Sequence, residues 1–324
     1  IVHYILERFF GEYTKEEYLS LEEDKFQKIV CAYLAEYAVE YFGEEQLESN
    51  SFKYRLKTII DNVMYLMKHI MEELSQGEFF VADCELKIGE DIPSYTIVLP
   101  DGHKIAVCGS VDRVDIMQRA DITYLRIIDY KTGKKQFKLS DILYGINLQM
   151  LLYLHSIEAS GGDKYGEIVP AGILYMPATV PYISSDSLKS IDKLPDELNK
   201  KLKMNGLLLK DTEIIHGMDK TDVATYIPVK IKAGEPVSST SLATLAEFGK
   251  IFKKVDMLIA EMGKNIYNGN IEAKPLKGGH DSCEYCPYDS VCAYRQSNPI
   301  TCFSVDNKAV IEEITNEING KEEE

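Results

Sequence analysis

Apolar residues recur at three- and four-residue intervals through residues 2–10 (VHYILERFF), 24–42 and 52–75, the spacing that gathers them on one helix face. From residue 79 the period shortens. FFVADCELKI, YTIVLP, KIAVCGSVDRVDIM and ITYLRIIDY are β-branched and aromatic runs, separated by turn-forming PDG at 100–102 and QRAD at 118–121, and they predict a meander of about four strands. Helical spacing returns over 139–158, with Leu148, Leu151, Leu152 and His155 on an apolar-rich face. VPAGILYMP (169–177) predicts a buried strand ended by proline. Residues 178–240 are polar with weak periodicity, and are expected to be an excursion inserted outside the core; a helix at 241–268 follows. The acidic tail, residues 303–324, is expected to be a frayed helix or disordered. This order predicts a mixed α/β domain over residues 1–302.

Composition narrows the function classes. Among 324 residues, 45% apolar, no stretch approaches the roughly 18 uncharged apolar residues of a membrane-spanning helix, so no membrane role is expected. No signal or transit sequence opens the chain, which predicts a cytoplasmic location, and the start at Ile1 without methionine reads as a fragment of something longer. A net charge of −16 argues against a protein that grips nucleic acid over its whole surface. However, 13 of those 16 excess charges fall in residues 1–50 and 303–324, which leaves room for a local basic site between them.

Such a site is suggested by GSVDRVD (109–115) followed by LRIIDYKTGKK (125–135). Residues two apart in a strand point the same way, so Asp129 and Lys131 share a face, and pairing of the two strands would bring Asp112 beside them. Two neighbouring carboxylates repel unless a cation lies between them, and carboxylate oxygens suit Mg²⁺ or Mn²⁺. Such an ion with a lysine is sufficient apparatus for hydrolysing a phosphodiester. The pattern acid-x-Lys occurs five times, no more than chance expects, so it carries nothing alone; only 129–131 follows an apolar strand and a second buried-looking acid. Asp112, Arg113, Asp129 and Lys131 could instead pair as an exposed cross-strand ladder of ions. Lys131, Lys134, Lys135 and Lys138 fall within eight residues, a plausible contact for a phosphate backbone or simply a solvated loop. Gln149 and Tyr153 follow on one stripe of the next helix, able to position a nucleotide or merely flank the helix.

Seven cysteines are too few for a disulfide scaffold. Three of them, Cys283, Cys286 and Cys292, have the tight spacing C-x2-C-x5-C, which suits zinc or an iron–sulfur cluster; both usually need a fourth ligand. Cys84 and Cys108 read as small apolar strand residues.

Taken together, GSVDRVD, LRIIDYKTGKK and GINLQMLLY resemble the RecB-like branch of the PD-(D/E)xK nuclease superfamily, whose signature is GxxDRxD, then DYKT/S, then GxxxQxxxY. The resemblance implies a restriction-endonuclease-like mixed sheet flanked by helices, with a C-terminal cysteine segment. It implies a Mg²⁺ or Mn²⁺ ion held by His3, Asp112, Asp129 and the backbone carbonyl of Tyr130, with Lys131 as the catalytic lysine and Gln149 and Tyr153 on the DNA side; Glu85 is a weaker extra candidate. In relatives with this tail, three C-terminal cysteines and one before the first motif hold a 4Fe–4S cluster. Cys283, Cys286 and Cys292 match, the earlier one has no counterpart, and the site is expected to be incomplete. MNGLLLKDTEIIHGMD (204–219) and NGNIEAKP (268–275) further resemble the bacterial AddAB-type helicase–nucleases. This implies exonuclease-type cleavage of a single DNA strand delivered from a duplex end, an AddA-type helicase–nuclease subunit as partner, and a role in double-strand-break repair and recombination. No G-x4-G-K-S/T phosphate loop occurs, so ATP hydrolysis by this chain is not expected. The alternatives are a catalytically idle scaffold for DNA or a partner, and a stand-alone CRISPR-associated RecB-like exonuclease, which the long 178–240 segment fits poorly.

Overall fold

The computed structural model describes the chain apart from residues 44–48, 134, 182, 184–193, 222, 239, 289, 293–298 and 323–324. Four helices open it, α1 (Val2–Glu12), α2 (Lys15–Leu19), α3 (Glu23–Phe42) and α4 (Asn50–Ser75). The three- and four-residue spacing is what lets them pack: α1 buries Ile5, Leu6 and Phe9, and α3 buries Phe26, Val30, Tyr33, Leu34 and Ala38.

Five strands follow rather than four: β1 (Phe80–Ile88), β2 (Tyr95–Val98), β3 (Lys104–Val107), β4 (Gly109–Arg119) and β5 (Ile122–Lys131). The run KIAVCGSVDRVDIM breaks at the exposed Cys108, which lies between strands rather than inside one. The 100–102 turn closes β2 onto β3 as a separate hairpin, and β1 pairs past it with β4. Burial explains the split. β2 and β3 expose alternate residues, whereas β4 is buried at five consecutive positions, Arg113–Met117, and so suits the interior of a covered sheet.

The helix expected at 139–158 is divided into a 3-10 turn (Leu139–Tyr144) and α5 (Gln149–Ser160). Gly145 and Asn147 between them take left-handed φ values of +67° and +54°, which a continuous helix cannot contain. Beyond come α6 (Gly162–Tyr165), β6 (Glu167–Pro177), α7 (Leu194–Leu202), β7 (Asn205–Leu209), α8 (Thr212–Met218), β8 (Lys230–Lys232), β9 (Glu235–Val237), β10 (Leu242–Ala243), α9 (Leu245–Tyr267), β11 (Leu276–Gly278), β12 (Ile300–Cys302) and α10 (Asn307–Glu322). Among the described residues no helix is long and apolar enough to cross a membrane.

The main sheet runs β1-β4-β5-β6-β7-β10, antiparallel from β1 to β5, parallel between β5 and β6, antiparallel to β7 and parallel to β10. Two expectations therefore need correction. Within 178–240, β7 belongs to this sheet: Gly206–Leu209 are buried, and a Cβ on Gly206 would lie 1.9 Å from the Ile173 carbonyl oxygen, so only glycine lets the two strands close. The β8–β9 hairpin behaves as an excursion. The acidic tail is likewise ordered as α10. Val310, Ile314 and Ile318 fall at four-residue steps and are buried, and the largely buried Lys254 of α9 meets Glu317 at 2.5 Å. Its surplus acids face water.

A four-residue lattice of charge lies inside. Arg113, Asp115, Arg126 and Glu73 are each 0% exposed. Arg113 donates to both oxygens of Asp115 (2.8 and 2.7 Å), to Glu73 (3.0 Å) and to the Tyr130 hydroxyl (3.2 Å); Arg126 donates to Asp115 (3.0 and 2.8 Å) and Glu73 (2.5 Å). Burial opposes the Asp115 charge, but the two guanidinium groups outweigh it and hold the carboxyl below its usual range. Arg126 also lies over the Phe79 ring at 4.8 Å. This arrangement corrects the exposed-ladder alternative: Arg113 is buried on the face opposite to Asp112.

Two stability predictions arise. Arg113→Met strands the buried carboxylates and should cost about 3–5 kcal/mol in urea unfolding; a loss under about 1 kcal/mol would contradict the lattice. The second concerns His155, whose Nε2 lies 3.2 Å from both the Tyr95 hydroxyl and Asp256, with Glu158 3.4 Å from Nδ1. Burial disfavours the imidazolium, yet the bonds to Asp256 and Glu158 overcome it and push His155 up to about 9. A raised histidine stabilises fully below its unfolded value near 6.5 and loses that contribution as pH rises through the folded value. The unfolding free-energy difference between parent and His155→Ala should therefore shrink from pH 6 to pH 9.5, by on the order of 2 kcal/mol after discounting for solvent screening.

Candidate metal centre and nuclease site

Alternation in β4 sends Arg113 to the lattice and Asp112 to the other face. β4 and β5 pair Arg113 with Ile128, and one step further Asp112 comes opposite Asp129, close enough for each charge to act on the other. The Tyr130 amide donates to Asp112 Oδ2 at 2.8 Å, tying the carboxylate to the neighbouring strand. Asp129 is 6% exposed. Lys131, two residues on, puts Nζ 2.6 Å from Asp129 Oδ2, but off the hydrogen-bonding direction, so this buried oxygen has no hydrogen bond.

From β1, Glu85 falls between the pairs Cys84–Arg113 and Leu86–Val111, which sets it across from Asp112. Its backbone has φ +52°, a conformation that costs a non-glycine residue on the order of 1–3 kcal/mol and concentrates at functional sites. Glu85 accepts from Ser110 Oγ at 3.0 Å and sits 2.7 Å from His3 Nδ1. His3, in the first turn of α1, directs Nε2 to within 3.7 Å of Asp112 Oδ2 and stands edge-on to the Tyr130 ring. One ligand atom each from His3, Glu85 and Asp112 lies within 4.8 Å of the others. Burial lifts the Asp112 carboxyl to about 6; the Tyr130 amide and His3 pull it down, while Asp129 and Glu85 push it up.

On α5, Gln149 and Tyr153 are one turn apart, with Gln149 Nε2 3.5 Å from the Tyr153 hydroxyl. That hydroxyl packs against Gly109 at the start of β4, where a Cβ would meet it at 2.1 Å. The described structure thus draws His3, Asp112, Asp129, Tyr130 and Lys131 to one end of β4 and β5, with Tyr153 at the start of β4. It also raises Glu85 from a marginal candidate to a central one. Sequence reasoning missed Glu73, although an acid between Ile70 and Leu74 on the buried stripe of α4 was a readable signal. Lys134, counted among the basic cluster, lies outside the described residues.

The cysteines stand apart from this centre. Cys283 and Cys286 are half-buried in a turn, where the Cys286 amide donates to the Cys283 carbonyl at 3.3 Å, and Cys292 is exposed. Among the described residues their thiols are not gathered within 4.8 Å of one another.

An acid on each of two adjacent strands, a lysine two residues beyond the second and a mixed sheet between helices together define a nuclease of the PD-(D/E)XK class. Residues 1–293 match the profile of the PD-(D/E)XK nuclease superfamily, and the chain belongs to that superfamily. More particularly, it is similar to proteins named as the B subunits of ATP-dependent helicase/deoxyribonucleases. That of Thermoanaerobacter sp. (strain X514) is 37% identical over 246 residues, covering 74% of this chain and 21% of the relative. Those of Alkaliphilus oremlandii (strain OhILAs) and Clostridium acetobutylicum are 33% and 32% identical, each covering 98% of this chain and 29% and 28% of the relative. The chain thus spans between a fifth and three tenths of the length of the curated relatives it matches.

Gly109→Ala tests the seat of Tyr153. It should lower the unfolding free energy by about 1–3 kcal/mol, the range for forced overpacking, in a urea titration; an unmoved midpoint would show that the Tyr153 hydroxyl does not occupy that position.

Proposed function

We propose that this chain is the nuclease domain of an AddB-type protein, a Mg²⁺- or Mn²⁺-dependent deoxyribonuclease that hydrolyses phosphodiester bonds of a single strand delivered from a duplex end. The observation that carries this reading is the convergence of His3, Glu85 and Asp112 beside Asp129, whose buried Oδ2 lacks a hydrogen bond. A divalent cation fits this donor set: it would occupy the orphaned oxygen and relieve the repulsion among three carboxylates. His3, Glu85, Asp112 and Asp129, with the Tyr130 carbonyl, would hold it. When bound, such an ion acidifies water and neutralises charge on the phosphorane.

The chain's own groups supply the rest. The Tyr130 amide holds Asp112 in place. Lys131, beside Asp129, offers its ammonium to the negative charge that builds on the phosphate or orients the attacking water. Gln149 and Tyr153 offer hydrogen bonds to a nucleotide. Three cysteine thiolates are one short of the four that hold a 4Fe–4S cluster, so Cys283, Cys286 and Cys292 do not complete such a site by themselves, and no step depends on one. The relatives' name supports a role in double-strand-break repair alongside an AddA-type partner within a helicase–nuclease.

Asp129→Ala and Lys131→Ala should each lower Mg²⁺-dependent cleavage of single-stranded DNA by about two or more orders of magnitude, the scale of one main transition-state contact. Calorimetric titration should show Mn²⁺ binding to the parent and none to Asp112→Ala. Cleavage unchanged in both of the first two variants would remove the assignment.

A further inference from the structure

Next to Lys131 the edge of the sheet opens into a cavity of about 790 Å³, in whose wall stand Lys131, Lys135, Lys200, Lys201 and Lys203. No aspartate or glutamate is among its described lining residues, although the chain carries 52 acids against 36 bases. Fixed contacts hold the cations apart. Lys131 and Lys135 both set their ammonium groups 5.7 Å from the Tyr175 ring centroid, and Lys135 donates to Asn147 Oδ1 at 2.6 Å. Asn205 of β7 clamps the segment that carries Lys135, donating to the Lys135 carbonyl at 3.0 Å and accepting from the Phe137 amide at 2.7 Å. Lys203 is fastened from behind by the Ala224 and Val229 carbonyls, and Lys200 by Glu197 one turn back on α7.

The geometry points to this cavity as a binding site for single-stranded polynucleotide, taking the phosphodiesters that flank the one being cleaved. The inference rests on the nuclease reading for its direction, since Lys131 belongs to both the chemical centre and the cavity wall. Five cations in a wall that contains no carboxylate form a focused positive potential in an otherwise acidic protein, which draws a polyanion toward the centre. The volume lies within the roughly 300–1,000 Å³ of ligand clefts, room for a few nucleotides of one strand and not for a duplex, whose grooves alone are roughly 6–12 Å wide. Asn205 acts here as a positioning residue: it joins β7 to the lysine segment and so sets where the backbone of the strand would run.

The test is fluorescence anisotropy of the chain with labelled oligothymidylate in EDTA, where no cleavage occurs. Lys135→Ala/Lys200→Ala should weaken binding about tenfold and make the slope of log K against log salt shallower by about 1.4, since each lost phosphate contact on a single strand removes about 0.7. With Mg²⁺ the loss should appear in KM rather than kcat. The charge-matched control Lys28→Ala/Lys57→Ala, on α3 and α4, should bind as the parent does. Affinity and slope unmoved in the first double variant, an equal loss in the control, or displacement of the oligonucleotide by polyglutamate at equal charge concentration would each overturn the proposal. A parent chain that binds in this lysine-dependent way yet cuts with neither Mg²⁺ nor Mn²⁺ would sink the nuclease reading and leave the cavity standing.

Discussion

Two arginines with no access to water, Arg113 and Arg126, share two equally buried carboxylates, Glu73 and Asp115, and the arrangement of the centre depends on that arrest. Desolvated charges tolerate little misplacement, because a lattice with one partner removed leaves the remainder unpaired at low dielectric. The lattice therefore fastens α4 to β4 and β5 in a single register. Sliding β4 by one residue would exchange Arg113 with Asp112 and turn the site inside out. Stability and chemistry are in this sense written on alternate residues of one tetrapeptide, Asp112–Arg113–Val114–Asp115.

On the opposite face the structure is conspicuously uncomfortable. Glu85 keeps a left-handed backbone, Asp112 is lifted toward neutrality by burial, and an oxygen of Asp129 is enclosed without a hydrogen bond. None of these is repaired by a neighbouring side chain, and all three point at the same small volume. Strain and unmet electrostatic demand collected in one place are the mark of a site prepared for a ligand, and here the donors are oxygen with a single imidazole, the set a hard divalent cation accepts. The supporting parts are rigid ones: strand residues for the acids and lysine, the first turn of α1 for His3, and α5 for Gln149 and Tyr153. The lysine wall then extends the centre along β6 and β7, so the same sheet that places the acids also orders the cations.

Much of this was legible in the residues. The helices at either end, the strand runs and the acids with their lysine follow from periodicity and from the resemblance carried by three short motifs. Other parts were not. β7 is only five residues long in a polar neighbourhood, so its place in the sheet emerges from the leucines it buries and the close approach at Gly206. The tail looked disordered because its acids dominate its composition, whereas three apolar residues at four-residue steps are enough to dock it on α9. Glu85 was indistinct because acid-x-Lys is common by chance and nothing local shows that its strand will lie across from Asp112.

Sequence alone determined the element types, the opposite facing of Asp112 and Arg113, and the pairing of Asp129 with Lys131 on one side of a strand, since these depend on alternation within a few residues. Tertiary structure alone decided which strand neighbours which, that Glu73 reaches Arg113 across 40 positions, and that His3 and Glu85 meet Asp112. The physical reason is that local periodicity fixes the direction of a side chain but not its distant company. That company is settled only when the whole sheet closes and every buried charge has found its partner.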